Sequence, residues 1–200
     1  KYEEALSHKD VVGLVIATRP DCVDNEKLDY LQKLSENHII IMEYGIESCY
    51  DKTLSYVNRG HTFSTTVNAI QQTSKRGIKV GGHLIFGFPT ESLDDMRKEA
   101  SIVSSLALDT IKFHQLQILQ NTPMMKEYEE NPQKFHLFSF QDYKDFIISF
   151  LETLNPRFVI ERFVSEVPPR YNVISTFGNI RNETIVEEIE KQMINTGSYQ

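Results

Sequence analysis

The chain has 200 residues, of which 40% are hydrophobic and 24% charged, a balance that excludes a disordered or fibrous segment. Its formal net charge of −7 disfavours a protein whose main task is to bind phosphate backbones through a basic face. No stretch has the ~20 consecutive apolar residues of a membrane span, and no apolar signal segment opens the chain. We therefore expect a soluble cytoplasmic protein with no membrane partner.

The two cysteines, Cys22 and Cys49, are too few for a disulfide framework or a four-cysteine metal site. They predict a reducing compartment and thiols with structural roles. At the N-terminus, residues 1–6 have the pattern of the end of an amphipathic helix, with no capping residue before it. This pattern predicts that the chain is the later part of a longer protein.

Hydrophobic periodicity predicts alternating strands and helices along the chain. In chain order it gives a strand over residues 11–17, a helix capped by Asp24, a strand over 39–44, a short helix over 51–57, a helix over 64–76 closed by Gly77 and a strand over 79–86. It continues with a helix opened by a Ser92/Asp95 capping box, a strand over 110–117, an irregular or short-helical segment over 123–132, a helix started by Ser139, a strand over 158–165 and a helix over 184–195.

Four strand-then-helix units in succession predict a parallel sheet, because each parallel strand needs a helical crossover. Alternate strand positions point to opposite faces of the sheet. The apolar set is expected to lie against the helices: Val12, Leu14, Ile16, Ile40, Met42, Tyr44, Leu84, Phe86, Ile111 and Phe113. The other set holds glycines, carboxylates, a lysine and histidines, which predicts an open or partial barrel with a ligand-holding lumen.

The segment from Gly81 to Glu91 places glycines on the lumen side of a strand and a Gly-Phe-Pro turn at its carboxyl end. Ligands collect at the carboxyl ends of parallel strands, so this segment suits the edge of a flat cofactor. A plain tight turn is the alternative. A P-loop is excluded because no Gly-Lys-Ser/Thr sequence follows.

Two carboxylates, Glu43 and Glu47, lie near the end of one predicted strand, where a buried charge needs a partner. Arg59 follows one short helix later and is either that partner in an internal ion pair or a bidentate clamp for a ligand carboxylate. His83 and His114 lie on neighbouring strands. Two histidines without a third ligand indicate hydrogen-bonded interior residues rather than a metal site.

Four segments taken together resemble signatures of the radical SAM superfamily. They are residues 18–21 (Thr-Arg-Pro-Asp), 43–48 (Glu-Tyr-Gly-Ile-Glu-Ser), 58–61 (Asn-Arg-Gly-His) and 83–89 (His-Leu-Ile-Phe-Gly-Phe-Pro), in the order and spacing of that family. The branch that they resemble comprises iron-sulfur oxidoreductases related to the radical SAM domain of the elongator catalytic subunit, with oxygen-independent coproporphyrinogen oxidase more distant. Residues 158–171 are similar to that branch as well.

The resemblance implies a partial (β/α)6 barrel, here its strands 3 to 6 in residues 1–122, followed by a C-terminal α/β extension in residues 123–200. It also implies two cofactors, S-adenosylmethionine (SAM) and a [4Fe-4S] cluster. The family's Cys-x3-Cys-x2-Cys cluster motif is absent from this sequence, and Cys22 and Cys49 are too far apart to replace it. We expect the cluster ligands in a part of the protein that precedes this chain.

Carried over to this sequence, the resemblance assigns cofactor contacts to Glu47, Ser48, Arg59, His83, Ile85 and Gln117. Glu47 and Arg59 would contact the amino-acid part or the ribose of SAM. His83 would meet the ribose, Ile85 would pack on the adenine, and the strand that ends at Gln117 would lie along the adenine edge. The substrate candidates are Glu43, Lys112 and His114. Many relatives carry a glutamate at the position of Ala17, so either Glu47 supplies that carboxylate here or SAM is held differently.

The implied function is that of a radical SAM oxidoreductase that cleaves SAM to a 5′-deoxyadenosyl radical. Its substrate would be an unknown small molecule or tRNA, and its reductant a protein such as flavodoxin or ferredoxin. The chain by itself is expected to be inactive and, with its first strand as an unpaired edge, to self-associate. The alternative is a binding or interaction domain of the same ancestry without redox chemistry. A fragment of a conventional (β/α)8 enzyme is disfavoured, because two further regular units do not follow the last strand.

Overall fold

The computed structural model describes residues 1–165, 173–174, 177 and 180–198. The helices are α1 (Tyr2–Leu6), α2 (Asn25–Ser35), α3 (Asp51–Tyr56), α4 (Phe63–Ser74), α5 (Leu93–Ser104), α6 (Pro123–Glu130), α7 (Phe140–Thr153) and α8 (Asn182–Thr196). The strands are β1 (Gly13–Thr18), β2 (Ile39–Glu47), β3 (Lys79–Phe86), β4 (Thr110–Gln115), β5 (Ile118–Leu119), β6 (Val159–Arg162) and β7 (Val173–Ile174). Short 3-10 turns cover Pro20–Cys22 and Pro132–Lys134.

The main sheet has five strands in the order β1-β2-β3-β4-β6, which follows the order of the chain. β1 pairs with β2 in parallel from Gly13 opposite Ile39, and β2 pairs with β3 in parallel from Ile41 opposite Lys79. These pairings confirm the predicted α/β architecture with a parallel sheet. Strands β5 and β7 form a separate antiparallel pair that was not predicted, because two residues are too few to produce an alternating pattern.

The predicted capping residues stand at the helix ends where the sequence places them. The Asp24 carboxylate accepts a hydrogen bond from the backbone N–H of Lys27 at the start of α2. At α5 the Ser92 and Asp95 side chains each accept from the other residue's backbone N–H at 3.1 Å, which confirms the capping box. Gly77, after α4, has the expected left-handed conformation with φ +72°.

Several strand boundaries differ from the prediction: β1 is Gly13–Thr18 rather than 11–17, β2 continues to Glu47 rather than ending at 44, and β6 is Val159–Arg162 rather than 158–165. The fourth strand ends at Gln115 rather than Gln117. The reason is tertiary, since both glutamine side chains donate to the carbonyl oxygen of Ser165, at 3.0 and 2.8 Å, and the separate strand β5 begins at the next residue, Ile118. Of the segment 158–171 that resembles the family branch, residues 166–171 lie outside the described residues.

The chain divides into two compact units. The first comprises residues 1–84, 105–111 and 157–159. In its core the apolar face of β2 packs toward α4, where the buried Tyr44 hydroxyl lies 2.7 Å from the Thr73 hydroxyl. The prediction that Val12 lies against the helices is wrong, since its side chain is 73% exposed. Val12 precedes β1, whose position at the end of the strand order leaves it without a neighbour on one side among the described strands.

The second unit comprises residues 85–104, 112–156 and 160–200. Its core is a cluster of aromatic rings in which Phe86 of β3 lies 4.8–5.7 Å, centroid to centroid, from Phe113, Phe146 and Phe150. This confirms that Phe86 and Phe113 belong to the apolar set. The predicted domain boundary at residue 122 stays a prediction. None of the helices in the described part of the chain has the length and hydrophobicity of a membrane span.

Candidate functional site

An ion pair between Glu47 and Arg59 lies at the carboxyl end of β2. The pairing of β2 with β3 slips by one residue between Gly45 and Glu47, and Glu47 adopts φ +64°, which is uncommon for a residue with a side chain. Arg59, in the loop between α3 and α4, places Nη2 2.8 Å from Glu47 Oε1 and donates to the Gly45 carbonyl at 3.3 Å. This one-residue slip is a β-bulge, and it directs the Glu47 carboxylate toward Arg59.

This ion pair is largely removed from water, and burial dominates its electrostatics. The Glu47 side chain is 15% exposed. Burial raises the pKa of the Glu47 carboxyl above its usual value, and the positive charge of Arg59 opposes that shift only in part. Ionisation of Glu47 therefore lowers the stability of the folded state. Carboxylates with this property are common at ligand sites and are also found in structural ion pairs.

Gly45 provides the space in which the two charged side chains meet. A Cβ atom at this position would overlap both Arg59 Nη2 and Glu47 Oε1. The backbone of Gly45 also accepts the hydrogen bond from Arg59. Only glycine leaves this face of the strand open for the ion pair.

A second pair, Glu43 with His83, lies on the same face of β2 and β3. Glu43 Oε2 is 3.1 Å from His83 Nε2, and the carboxylate side chain is only 7% exposed. Glu43 is opposite Gly81 and His83 is opposite Gly45, so the two pairs are neighbours. A Cβ at Gly81 would lie 3.2 Å from Glu43 Cγ and 2.7 Å from Thr110 Oγ1. We call the face that carries Glu43, Gly45, Gly81 and His83 the polar face.

Two buried nitrogen atoms in the Asn58–His61 loop lack a hydrogen-bond partner among the described residues. They are Nε of Arg59 and Nε2 of His61. A buried N–H without an acceptor costs about 1–3 kcal/mol, so such groups call for a physical explanation. For Arg59 Nε, next to an ion pair at a strand end, an additional acceptor from a ligand would remove this cost.

Two family models together cover most of the chain. The model of the radical SAM superfamily matches residues 1–101, and the model of the Radical_SAM C-terminal domain matches residues 108–195. The chain belongs to the radical SAM superfamily.

Individual relatives agree with this membership. The chain is 34% identical to the protein YtqA of Bacillus subtilis (strain 168) over 200 residues, which is 100% of this chain and 61% of YtqA. This radical SAM chain therefore spans about three fifths of the length of that relative. The archaeal Elp3 of Methanocaldococcus infernus, solved with an N-terminal deletion, superposes with a TM-score of 0.78 at 22% identity, over 94% of this chain and 43% of that one.

A third similar protein is the radical SAM methyltransferase TsrM of Kitasatospora setae, whose structure was solved with cobalamin and a [4Fe-4S] cluster bound. It superposes with a TM-score of 0.51 at 23% identity, over 59% of this chain and 23% of that one. At this level of identity the likeness to TsrM and to Elp3 concerns the fold. The predicted relation to the elongator catalytic subunit is confirmed by the family models together with a sequence match to Elongator complex protein 3 of Schizosaccharomyces pombe, 30% identical over 95 residues, which is 47% of this chain and 16% of that protein.

Three of the residues that the resemblance assigns to the cofactor come together in the first unit. His83 lies on the polar face, and Glu47 and Arg59 lie at the end of that face, where β2 ends. Ser48, fully buried, follows directly after β2, and its hydroxyl accepts from the backbone N–H of Tyr50 at 3.0 Å. Ile85 and Gln117 belong to the second unit, where Ile85 is half-buried in β3 and the Gln117 amide is bound to Ser165. Their cofactor contacts stay predictions.

The substrate candidates have partners of their own within the radical SAM chain. Glu43 pairs with His83, as described, and Lys112 Nζ lies 3.2 Å from Glu161 Oε2 within the second unit. His114 is half-buried in β4. Sequence reasoning did not identify Glu161 as a partner of Lys112, because the two residues are 49 positions apart in the chain. The only local indication was that Glu161 lies in a predicted strand.

Proposed function

We propose that this chain supplies part of the SAM-binding site of a radical SAM iron-sulfur enzyme. The observation that carries the proposal is the Glu47–Arg59 pair over Gly45, with the Arg59 Nε–H buried and lacking an acceptor among the described residues. SAM ends in an amino-acid group that carries both a carboxylate and an ammonium. A neighbouring guanidinium and carboxylate match these two charges.

In this proposal each residue of the site has a binding role. Arg59 donates to the SAM carboxylate, and Glu47 accepts from the SAM ammonium or a ribose hydroxyl. His83, held at 3.1 Å by the buried Glu43 carboxylate, presents its exposed edge to the ribose. The glycines at positions 45 and 81 keep the polar face open. The contribution of the protein is orientation, because the cofactors carry the chemistry.

When bound, a [4Fe-4S] cluster and SAM together supply a 5′-deoxyadenosyl radical. Within the described residues, no three His, Cys, Asp or Glu side chains converge as metal ligands would. The proposal therefore assigns the cluster ligands to another part of the protein and gives this chain no step at the metal. Three further features remain proposals for the whole protein: an unknown small molecule or tRNA as substrate, a reductant such as flavodoxin or ferredoxin, and a cytoplasmic location.

The test uses the full-length protein with its iron-sulfur cluster reconstituted under anaerobic conditions. We expect SAM to bind by calorimetry and, after addition of dithionite, to yield 5′-deoxyadenosine and methionine in equal amounts. A full-length protein that binds SAM without ever cleaving it would favour the alternative of a binding or interaction domain. A protein that binds no SAM would overturn the proposal.

The Glu47→Gln variant separates a ligand role from a purely structural ion pair. Because burial raises the folded-state pKa of Glu47 above its unfolded value, the ionised carboxylate destabilises the fold, and this cost is relieved as the pH falls through the folded pKa. We therefore expect Glu47→Gln to stay within about 1 kcal/mol of wild-type stability at neutral pH. SAM binding should weaken by roughly threefold to tenfold, since charge assistance about doubles the strength of a hydrogen bond.

Denaturant titrations of the full-length protein at several pH values measure this effect. The stability of the variant relative to wild type should rise as the pH increases from below 4.5, the usual pKa of a glutamate, toward neutrality. A loss of about 3–5 kcal/mol at neutral pH would identify Glu47 as a structural partner of Arg59 and would contradict its assignment to SAM.

A further inference from the structure

A short turn after β1 carries an arginine that the SAM proposal does not use. The chain leaves β1 and enters the 3-10 turn Pro20–Cys22, in which Pro20 is buried. The backbone N–H of Cys22 donates to the Arg19 carbonyl at 3.1 Å and closes this turn. Arg19 is therefore fixed at the carboxyl end of the sheet, beside the strand that ends at Glu47.

The guanidinium of Arg19 is held by a carboxylate of the same turn. Arg19 Nε donates to Asp21 Oδ1 at 2.9 Å, and Arg19 Nη2 donates to Asp21 Oδ2 at 2.6 Å. Two parallel bonds fix the plane of the guanidinium as well as its position. The hydrogen bond from Arg19 is the main cause that lowers the pKa of the Asp21 carboxyl. Because the side chains are 46% and 28% exposed, this pair contributes little to stability.

The fixed guanidinium lies against Gly60, the residue that follows Arg59. Both terminal nitrogens of Arg19 are 3.9 Å from the position that a Cβ at Gly60 would occupy. Gly60 has φ +83°, a left-handed conformation that favours glycine and sets the direction of the chain next to Arg59. The turn Pro20–Cys22 itself packs against α4 and β2. Arg19 thus connects the end of β1 to the loop that carries Arg59.

This contact restrains the Arg59 loop on a side that its own hydrogen bonds leave open. The backbone N–H of Arg59 donates to the Leu54 carbonyl at 2.8 Å, which anchors the loop to α3. On the side of Gly60 from which a side chain would project, Arg19 is the one residue within 4 Å among the described residues other than the neighbours of Gly60 in the chain. Removal of the Arg19 guanidinium would leave this side of the loop unsupported.

We propose that the Arg19–Asp21 pair is a positioning element of the SAM site, which keeps Arg59 in its ion pair with Glu47 by packing against Gly60. The pair acts through Arg59 and makes no contact with SAM itself. This inference rests on the proposed SAM-binding function. It deepens that function by naming the residues that hold Arg59 in the orientation that binds SAM.

The experiment measures SAM affinity by calorimetry in the full-length protein with its cluster reconstituted. Arg19→Ala and Asp21→Ala should each weaken SAM binding about threefold to tenfold, because the apparent affinity falls with the population of the binding-competent orientation. The thermal midpoint should stay that of the wild type, since the pair is exposed. The matched control Lys27→Ala, which breaks the exposed Asp24–Lys27 pair at the start of α2, should change neither quantity.

The Asp21→Ala variant separates positioning from direct contact. If Arg19 bound the SAM carboxylate itself, removal of the competing Asp21 carboxylate would leave SAM binding equal or stronger, and either result would overturn the proposal. A double-mutant cycle provides a second measure. In an Arg59→Ala background, Arg19→Ala should weaken SAM binding by less than about twofold, whereas full additivity would contradict a role through Arg59.

Hydrogen exchange of the SAM-free protein gives a readout that does not depend on the cofactor. The Arg59 amide should exchange at least about threefold faster in Arg19→Ala and in Asp21→Ala than in the wild type, and Lys27→Ala should leave its rate unchanged. Unchanged exchange in both variants would overturn the positioning role. If Arg59→Ala weakens SAM binding and Arg19→Ala does not, the positioning role alone is wrong. A wild-type protein that binds no SAM overturns the SAM site and this proposal with it.

Discussion

Arg59→Ala in the full-length protein is expected to weaken SAM binding by about 1.5–3 kcal/mol, the usual worth of a hydrogen bond to a charged group. This corresponds to a loss of roughly tenfold to 150-fold in affinity. The fold should remain intact, because Arg59 is not part of the apolar core and its partners among the described residues are the Glu47 carboxylate and the Gly45 carbonyl at the end of β2. Calorimetric SAM titration and the thermal midpoint of the same sample measure the two quantities.

Arg97→Ala is the matched control for this variant. Arg97 is an exposed arginine of α5 whose ion pair is with Asp94 of the same helix, and exposed pairs of this kind contribute little to stability. The control should change neither SAM affinity nor the thermal midpoint. If Arg59→Ala lowers the thermal midpoint sharply and leaves SAM affinity unchanged, Arg59 is only the structural partner of Glu47, and the proposed site is wrong.

Gly45→Ala is expected to weaken SAM binding at least about tenfold with little loss of stability. The added methyl group would meet the flexible ends of Arg59 and Glu47 rather than backbone, so the fold can accommodate it by moving these two side chains. That movement separates the guanidinium from the carboxylate and from the Gly45 carbonyl. The geometry needed for two charge-assisted hydrogen bonds is then lost.

A double-mutant cycle shows whether Gly45 acts through Arg59. In an Arg59→Ala background, the additional Gly45→Ala change should weaken SAM binding by less than about twofold, because residues that share one interaction are not additive. Full additivity of the two effects would contradict this account. It would mean that the methyl group excludes SAM by itself rather than through the ion pair.

Local sequence signals were sufficient for most of the secondary structure and for the family. Helix ends were predictable because a cap depends on residues three positions apart, as with Ser92 and Asp95 or Asp24 and Lys27. The strands of the parallel sheet were predictable because an apolar alternation marks a face that helices cover. The four short signatures by themselves identify Glu47, Arg59 and His83 as candidate site residues.

The choice of partners was decided only by the tertiary structure. From the sequence, Arg59 could pair with either Glu43 or Glu47, and the partners of His83 and His114 were equally open. The fold assigns Arg59 to Glu47 and His83 to Glu43. The reason is the one-residue slip between β2 and β3, together with the left-handed backbone of Glu47. A slip of this kind depends on how two strands pair across more than 30 positions of chain, and no local pattern encodes it.

The sequence by itself determined the α/β fold, the radical SAM membership and the residue types available for a site, because these depend on periodicity, caps and short motifs. The tertiary structure decided the carboxyl end of β4, the small β5–β7 pair and the Lys112–Glu161 pair. Each of these features depends on contacts between distant segments. Their free energy comes from burial and pairing in three dimensions, which local propensity does not determine.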